Sequence, residues 1–141
     1  MGQTYQSIII DASVEKIWDT LKNFHDMSWA AGVIEKCEVA GDKKSDQIGA
    51  KRILNDAFHE TLLALNETDK TVKYSIDDGP SPISAGEISD YLGTVRVSPV
   101  TEGGGSFVEW SSRWHGNDEA ATEFCHPIYV ALLGALKKSF A

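Results

Sequence analysis

The hydrophobic and polar positions change period twice along the chain. Residues 4–10 end in Ile8-Ile9-Ile10 and predict a first strand. Asp11-Ala12-Ser13 then offers cap chemistry, after which Val14, Ile17, Trp18, Leu21 and Phe24 recur at helical spacing and predict an amphipathic helix. A second short helix is expected around residues 27–34, weakened by Gly32 and the β-branched Val33-Ile34. From Cys37 the period is two, and strands are expected at residues 37–40, 50–54, 59–65, 72–76, 88–100 and 107–115. Turns fall at Gly41-Asp42, Asn55-Asp56, Thr68-Asp69, Gly79-Pro80-Ser81-Pro82 and Gly103-Gly104-Gly105, so the strands make an antiparallel meander. Helical spacing returns at the end, where Ala121, Phe124, Cys125, Ile128, Leu132 and Leu136 share one face. Asn117 is the expected cap of this helix, and Asp118, Glu119, Lys137 and Lys138 match its macrodipole at the two ends. Pro127 lacks a donor and crowds the carbonyl of Glu123, so a kink is expected there.

Period-two alternation sorts the strand residues between two faces of the sheet. Lys73, Ser75, Asp77, Thr94, Arg96, Ser98, Glu109, Ser111 and Arg113 belong to the wet face. Their alternates point inward: Ala50, Arg52 and Leu54; Glu60, Leu62 and Ala64; Val72, Tyr74 and Ile76; Tyr91, Gly93, Val95 and Val97; Val108, Trp110, Ser112 and Trp114. This set holds two opposite charges, and a buried charge without a partner costs more than apolar contact at one position returns. Arg52 and Glu60 sit on the two arms of one hairpin, so an internal salt bridge supported by tyrosine hydroxyls is one reading. The other is a cavity between sheet and last helix, apolar-walled with a few convergent polar groups, as small-molecule sites are. The two readings are compatible.

The chain has 141 residues, which indicates a single domain spanning 1–141. No apolar run approaches the roughly 20 residues of a membrane-spanning helix, and no secretory signal opens the sequence, so a cytoplasmic location without integral membrane association is expected. Thirteen Lys and Arg against 21 Asp and Glu give a net charge of −8 with the cations scattered, which argues against a nucleic-acid partner. Cys37 and Cys125 read as two reduced thiols. His59-Glu60 lacks a histidine at position 63, no Gly-x-Ser-x-Gly or phosphate loop occurs, and the remaining histidines are dispersed. No metal site and no cofactor are therefore expected; a metal held by His59, His115 or Cys125 would have to be assembled by folding.

Taken together, several segments resemble the START-like (SRPBCC) superfamily, in its polyketide cyclase/dehydrase and lipid-transport branch. They are residues 11–18 (Asp-Ala-Ser-Val-Glu-Lys-Ile-Trp), Phe24 with Trp29, Gly49-Ala50-Lys51-Arg52, Glu60-Thr61-Leu62-Leu63, Tyr74-Ser75-Ile76, the Pro80 and Pro82 loop, Tyr91-Leu92-Gly93-Thr94, Pro99-Val100 and Val108-Glu109-Trp110. The resemblance implies an α+β helix-grip fold: a seven-stranded antiparallel sheet curled around a long C-terminal helix, with two short helices between strands 1 and 2. It also implies that Arg52, Glu60, Tyr74, Tyr91 and Trp110 face the cavity, in agreement with the alternation.

The reading that follows is a monomer binding a small lipophilic ligand, ring-containing or acidic. Arg52 would hold a ligand carboxylate or enolate, and Glu60 would hold Arg52 in the empty site. Trp110, Trp114, Tyr74, Tyr91, Phe124 and Ile128 would pack on rings. Residues 79–86 and 55–58 are candidate lids. The alternative is a polyketide cyclase-type enzyme with Arg52, Glu60 and Tyr74 as candidate catalytic groups. A third is a protein-interaction or stress-response module, in which Trp29 and the lid loops would form an exposed apolar patch.

Overall fold

Alternation at the start of the chain makes β1 (Gly2–Ile10), which buries Thr4, Gln6 and Ile10 and turns Gln3 and Tyr5 outward. The computed structural model describes residues 1–141. Helix α1 (Val14–Leu21) follows, with the Ser13 hydroxyl accepting the Lys16 N–H at 3.3 Å and Ile17 and Trp18 buried. The expected second helix is only a 3-10 turn, Ser28–Ala30. Gly32 lies beyond it at φ 86°, a conformation that no continuing helix contains. One short helix and one 3-10 turn, rather than two helices, thus lie between β1 and β2.

The remaining elements are β2 (Cys37–Ala40), β3 (Lys51–Leu54), β4 (Phe58–Asn66), β5 (Thr71–Asp78), β6 (Ser89–Pro99), β7 (Ser106–His115) and α2 (Asp118–Ser139). They form an open seven-stranded antiparallel sheet in the order β1-β7-β6-β5-β4-β3-β2, with α2 packed on its buried side. The meander is closed by β1, which joins β7 with Gly2 opposite Trp114 and Ile10 opposite Ser106. No helix is long and apolar enough to cross a membrane.

The expected inward positions are buried, Ile76 only partly, with one correction. A bulge between Leu62 and Ala64 shifts the pairing, so that Ala64 stands opposite outward Lys73 and Leu65 opposite inward Val72. Leu65 therefore packs on the core in the place the alternation gave to Ala64. The start of α2 differs too. Asn117 adopts a left-handed conformation, φ 46°, and its side chain makes no cap. Its Nδ2 donates instead to the Pro82 carbonyl and to Glu87 Oε2, each at 3.1 Å, tying the helix start to the β5–β6 loop. Helix α2 continues as one element through Pro127, with neither break nor restart.

Candidate functional site

Antiparallel register places Arg52 of β3 directly opposite Glu60 of β4. Both are buried, 6% and 5% exposed. Arg52 Nε donates to Glu60 Oε1 at 2.8 Å, and Nη2 lies 2.7 Å from the same oxygen. Nη1 donates to the Phe24 carbonyl at 2.9 Å and to Met27 Sδ at 3.3 Å, and the guanidinium carbon sits 3.9 Å from the Phe24 ring centroid. Burial lifts the Glu60 carboxyl above its ordinary value while the Arg52 charge pulls it back. The salt bridge is thus present, but tyrosine hydroxyls do not support it: backbone, sulfur and an aromatic face do.

The phenols gather instead around Tyr129, on α2. Trp110 Nε1 donates to Tyr74 Oη at 2.9 Å, Tyr74 Oη lies 2.8 Å from Tyr129 Oη, and Tyr129 touches Tyr91 Oη in turn. Tyr91 reaches Cys125 Sγ at 3.9 Å. Burial holds all three phenols well above their ordinary pKa. Gly93, opposite Tyr74 across β5 and β6, makes room for this arrangement, since a methyl group there would overlap the Tyr74 ring.

Between the ion pair and the phenols lies a cavity of about 30 Å³. That is space on the order of two water molecules, so the aromatic side chains themselves fill most of the interior. Of the residues expected at a binding site, Arg52, Glu60, Tyr74, Tyr91, Trp110 and Ile128 line it. Trp114 and Phe124 do not. Trp114 stacks on Tyr91 with centroids 5.4 Å apart, and Phe124 stacks on Phe58, itself a lining residue, at 6.4 Å. Sequence reasoning missed Tyr129, Met27 and Ile83, which also line the cavity. Tyr129 is one helical turn beyond Cys125, a spacing that carries the signal; Met27 and Ile83 lie outside the regular elements, where periodicity carries none.

The family model for polyketide cyclase / dehydrase and lipid transport matches residues 1–141. The chain belongs to this family. A solved protein from Nitrosospira multiformis is 41% identical, with a TM-score of 0.95 over 99% of this chain and 96% of that one. Ginseng major latex-like protein 151 from Panax ginseng (16% identity, TM-score 0.77, 99% and 97% covered) shares the fold. So does norcoclaurine synthase from Thalictrum flavum, solved with dopamine and hydroxybenzaldehyde (17% identity, TM-score 0.73, 96% and 84% covered). No curated protein matches the sequence.

In this polyketide cyclase/dehydrase and lipid transport family member, side chains fasten both loops flanking the cavity. Ile83, 1% exposed, plugs it from the loop at 79–86. Asp78 Oδ1 accepts the N–H groups of Gly79 and Ala85 at 3.0 and 2.9 Å, and Glu87 accepts the hydroxyls of Ser81 and Ser84. At the other loop, Asn55 Oδ1 accepts the N–H groups of Glu35 and Lys36, and its Nδ2 donates to the Val33 carbonyl. Trp29 is buried, its ring tilted against Trp110 at 6.3 Å, so it adds nothing to an exposed apolar patch. His59, His115 and Cys125 are not brought together, and no group of three His, Cys, Asp or Glu residues is placed to hold a metal ion.

Proposed function

We propose that the protein binds a small lipophilic, ring-containing ligand between its sheet and α2. One observation carries this reading: 13 of the 15 residues around the cavity are hydrophobic, yet its wall includes a buried ion pair. Such a pair contributes little to stability compared with apolar side chains of the same volume, so a role in recognition accounts better for its presence. Family membership and the fold shared with a synthase solved with two aromatic compounds support it.

The present cavity is smaller than any such ligand, so binding requires the Ile83 loop and the Phe58 and Phe124 rings to move outward. Native mass spectrometry of the purified protein, beside analysis of its organic extract, tests the proposal directly. A retained small molecule in stoichiometric amount, or NMR shifts concentrated on Tyr74, Trp110 and Ile83 in titrations with aromatic compounds, is the expected result. An empty protein that binds nothing even as Ile83→Ala, which removes the plug, overturns it.

A further inference from the structure

The hydrogen-bond inventory of the cavity wall is one-sided. Arg52 has five N–H groups, and four are already directed at Glu60 Oε1, the Phe24 carbonyl and Met27 Sδ. Its Nε/Nη2 fork, the geometry that grips a carboxylate, is occupied by Glu60. The phenols are equally committed. Three hydroxyl protons serve three contacts, Tyr74 with Tyr129, Tyr129 with Tyr91, and Tyr91 with Cys125, while Tyr74 also accepts from Trp110.

Glu60 is the exception. Its two approaches to Arg52, from Nε at 2.8 Å and Nη2 at 2.7 Å, both fall on Oε1, so Oε2 is the less engaged oxygen. Glu60 lines the cavity beside Arg52, so its carboxylate can be reached by a group that enters there. The buried guanidinium stays charged and Glu60 is the acid it contacts, so Oε2 is a carboxylate acceptor.

From this geometry, and resting on the binding reading above, we infer that the site selects ring compounds carrying a neutral hydroxyl, which donates to Glu60 Oε2, and rejects carboxylates. The sequence reading has the opposite polarity, with Arg52 gripping an acid and Glu60 holding Arg52 only in the empty site, so the two readings predict opposite orders for a hydroxyl and a carboxylate. A ligand carboxylate would meet a buried carboxylate, whereas a phenol or alcohol can donate to its less engaged oxygen.

Three probes of one shape test the inference: naphthalene, 2-naphthol and 2-naphthoate, each titrated into the full chain with NMR shifts of Tyr74, Trp110 and Ile83 as readout. The expected order places 2-naphthol about tenfold or more tighter than both others, the gain of a hydrogen bond to a charged group. In Glu60→Gln, 2-naphthoate should gain on 2-naphthol, because part of the guanidinium fork is released. Should that variant fail to fold, the paired substitution Arg52→Leu with Glu60→Leu removes both charges together, and 2-naphthol should lose its advantage while naphthalene still binds. Naphthalene bound with no advantage for 2-naphthol, or 2-naphthoate bound tightest, overturns the inference and leaves cavity binding standing. Failure of all three probes to reach the cavity, in the wild type and in Ile83→Ala, overturns the binding proposal and this inference with it.

Discussion

Trp110 joins the two halves of the site: its ring packs on Tyr74, Tyr129 and Trp29, and its N–H enters the phenol cluster. Trp110→Ala should destabilise the protein by about 3–5 kcal/mol in chemical denaturation, the cost of emptying a large aromatic site. Tyr129→Phe is the more delicate test. It keeps the ring but removes the hydroxyl between Tyr74 and Tyr91, and should cost roughly 1–3 kcal/mol for the polar groups left unpaired. The inward residues of β5, β6 and β7 are legible in the sequence because the other face of each of these strands is largely polar. Ala64 is not, because Leu62-Leu63-Ala64-Leu65 is apolar throughout and nothing in it marks a bulge. Nor could the partner of the tyrosine hydroxyls be read, since that depends on how α2 rotates over the sheet.

At the scale of elements, strand and helix spans follow from periodicity, and the departures come where tertiary contact outcompetes local preference. Asn117 has the chemistry of a cap, yet its amide is taken by Pro82 and Glu87, so the helix start serves to hold a loop. Glu87→Ala removes acceptors for Ser81, Ser84 and Asn117 together, and amide hydrogen exchange should speed up selectively across residues 79–88 while α2 beyond its first turn keeps its protection. Equal loss of protection along the whole of α2 would show that the latch supports the helix rather than the loop. At the junction of β5 and β6, Gly93→Ala forces a methyl into the Tyr74 ring and should lower the unfolding midpoint well beyond the modest effect of an alanine on an open strand surface.

For the molecule as a whole, the buried hydroxyl and thiol groups predict an alkaline limit. Burial pushes the Cys125 thiol up to about 11 from an ordinary 9.0. Above pH 9 the unfolded chain releases this proton while the folded one keeps it, so stability is intact below pH 9 and falls as pH rises towards 11. The slope is about 1.4 kcal/mol per pH unit. Tyr74, Tyr91 and Tyr129 extend the same trend higher, their folded pKa also being raised. Urea titrations at pH 8, 9.5 and 10.5 should show the decline, and Cys125→Ala should lessen it between pH 8 and 9.5 while the tyrosine contribution at pH 10.5 remains.

The sheet order carries one more consequence. Strand β1 pairs only with β7, more than 90 residues further along the chain. During synthesis, β1 emerges from the ribosome well before its partner. Strands β2 to β6 can zip as successive hairpins while β1 stays unpaired, exposing Ile8-Ile9-Ile10 to the surroundings until β7 emerges. That interval is when the nascent chain is most open to aggregation and to chaperone capture.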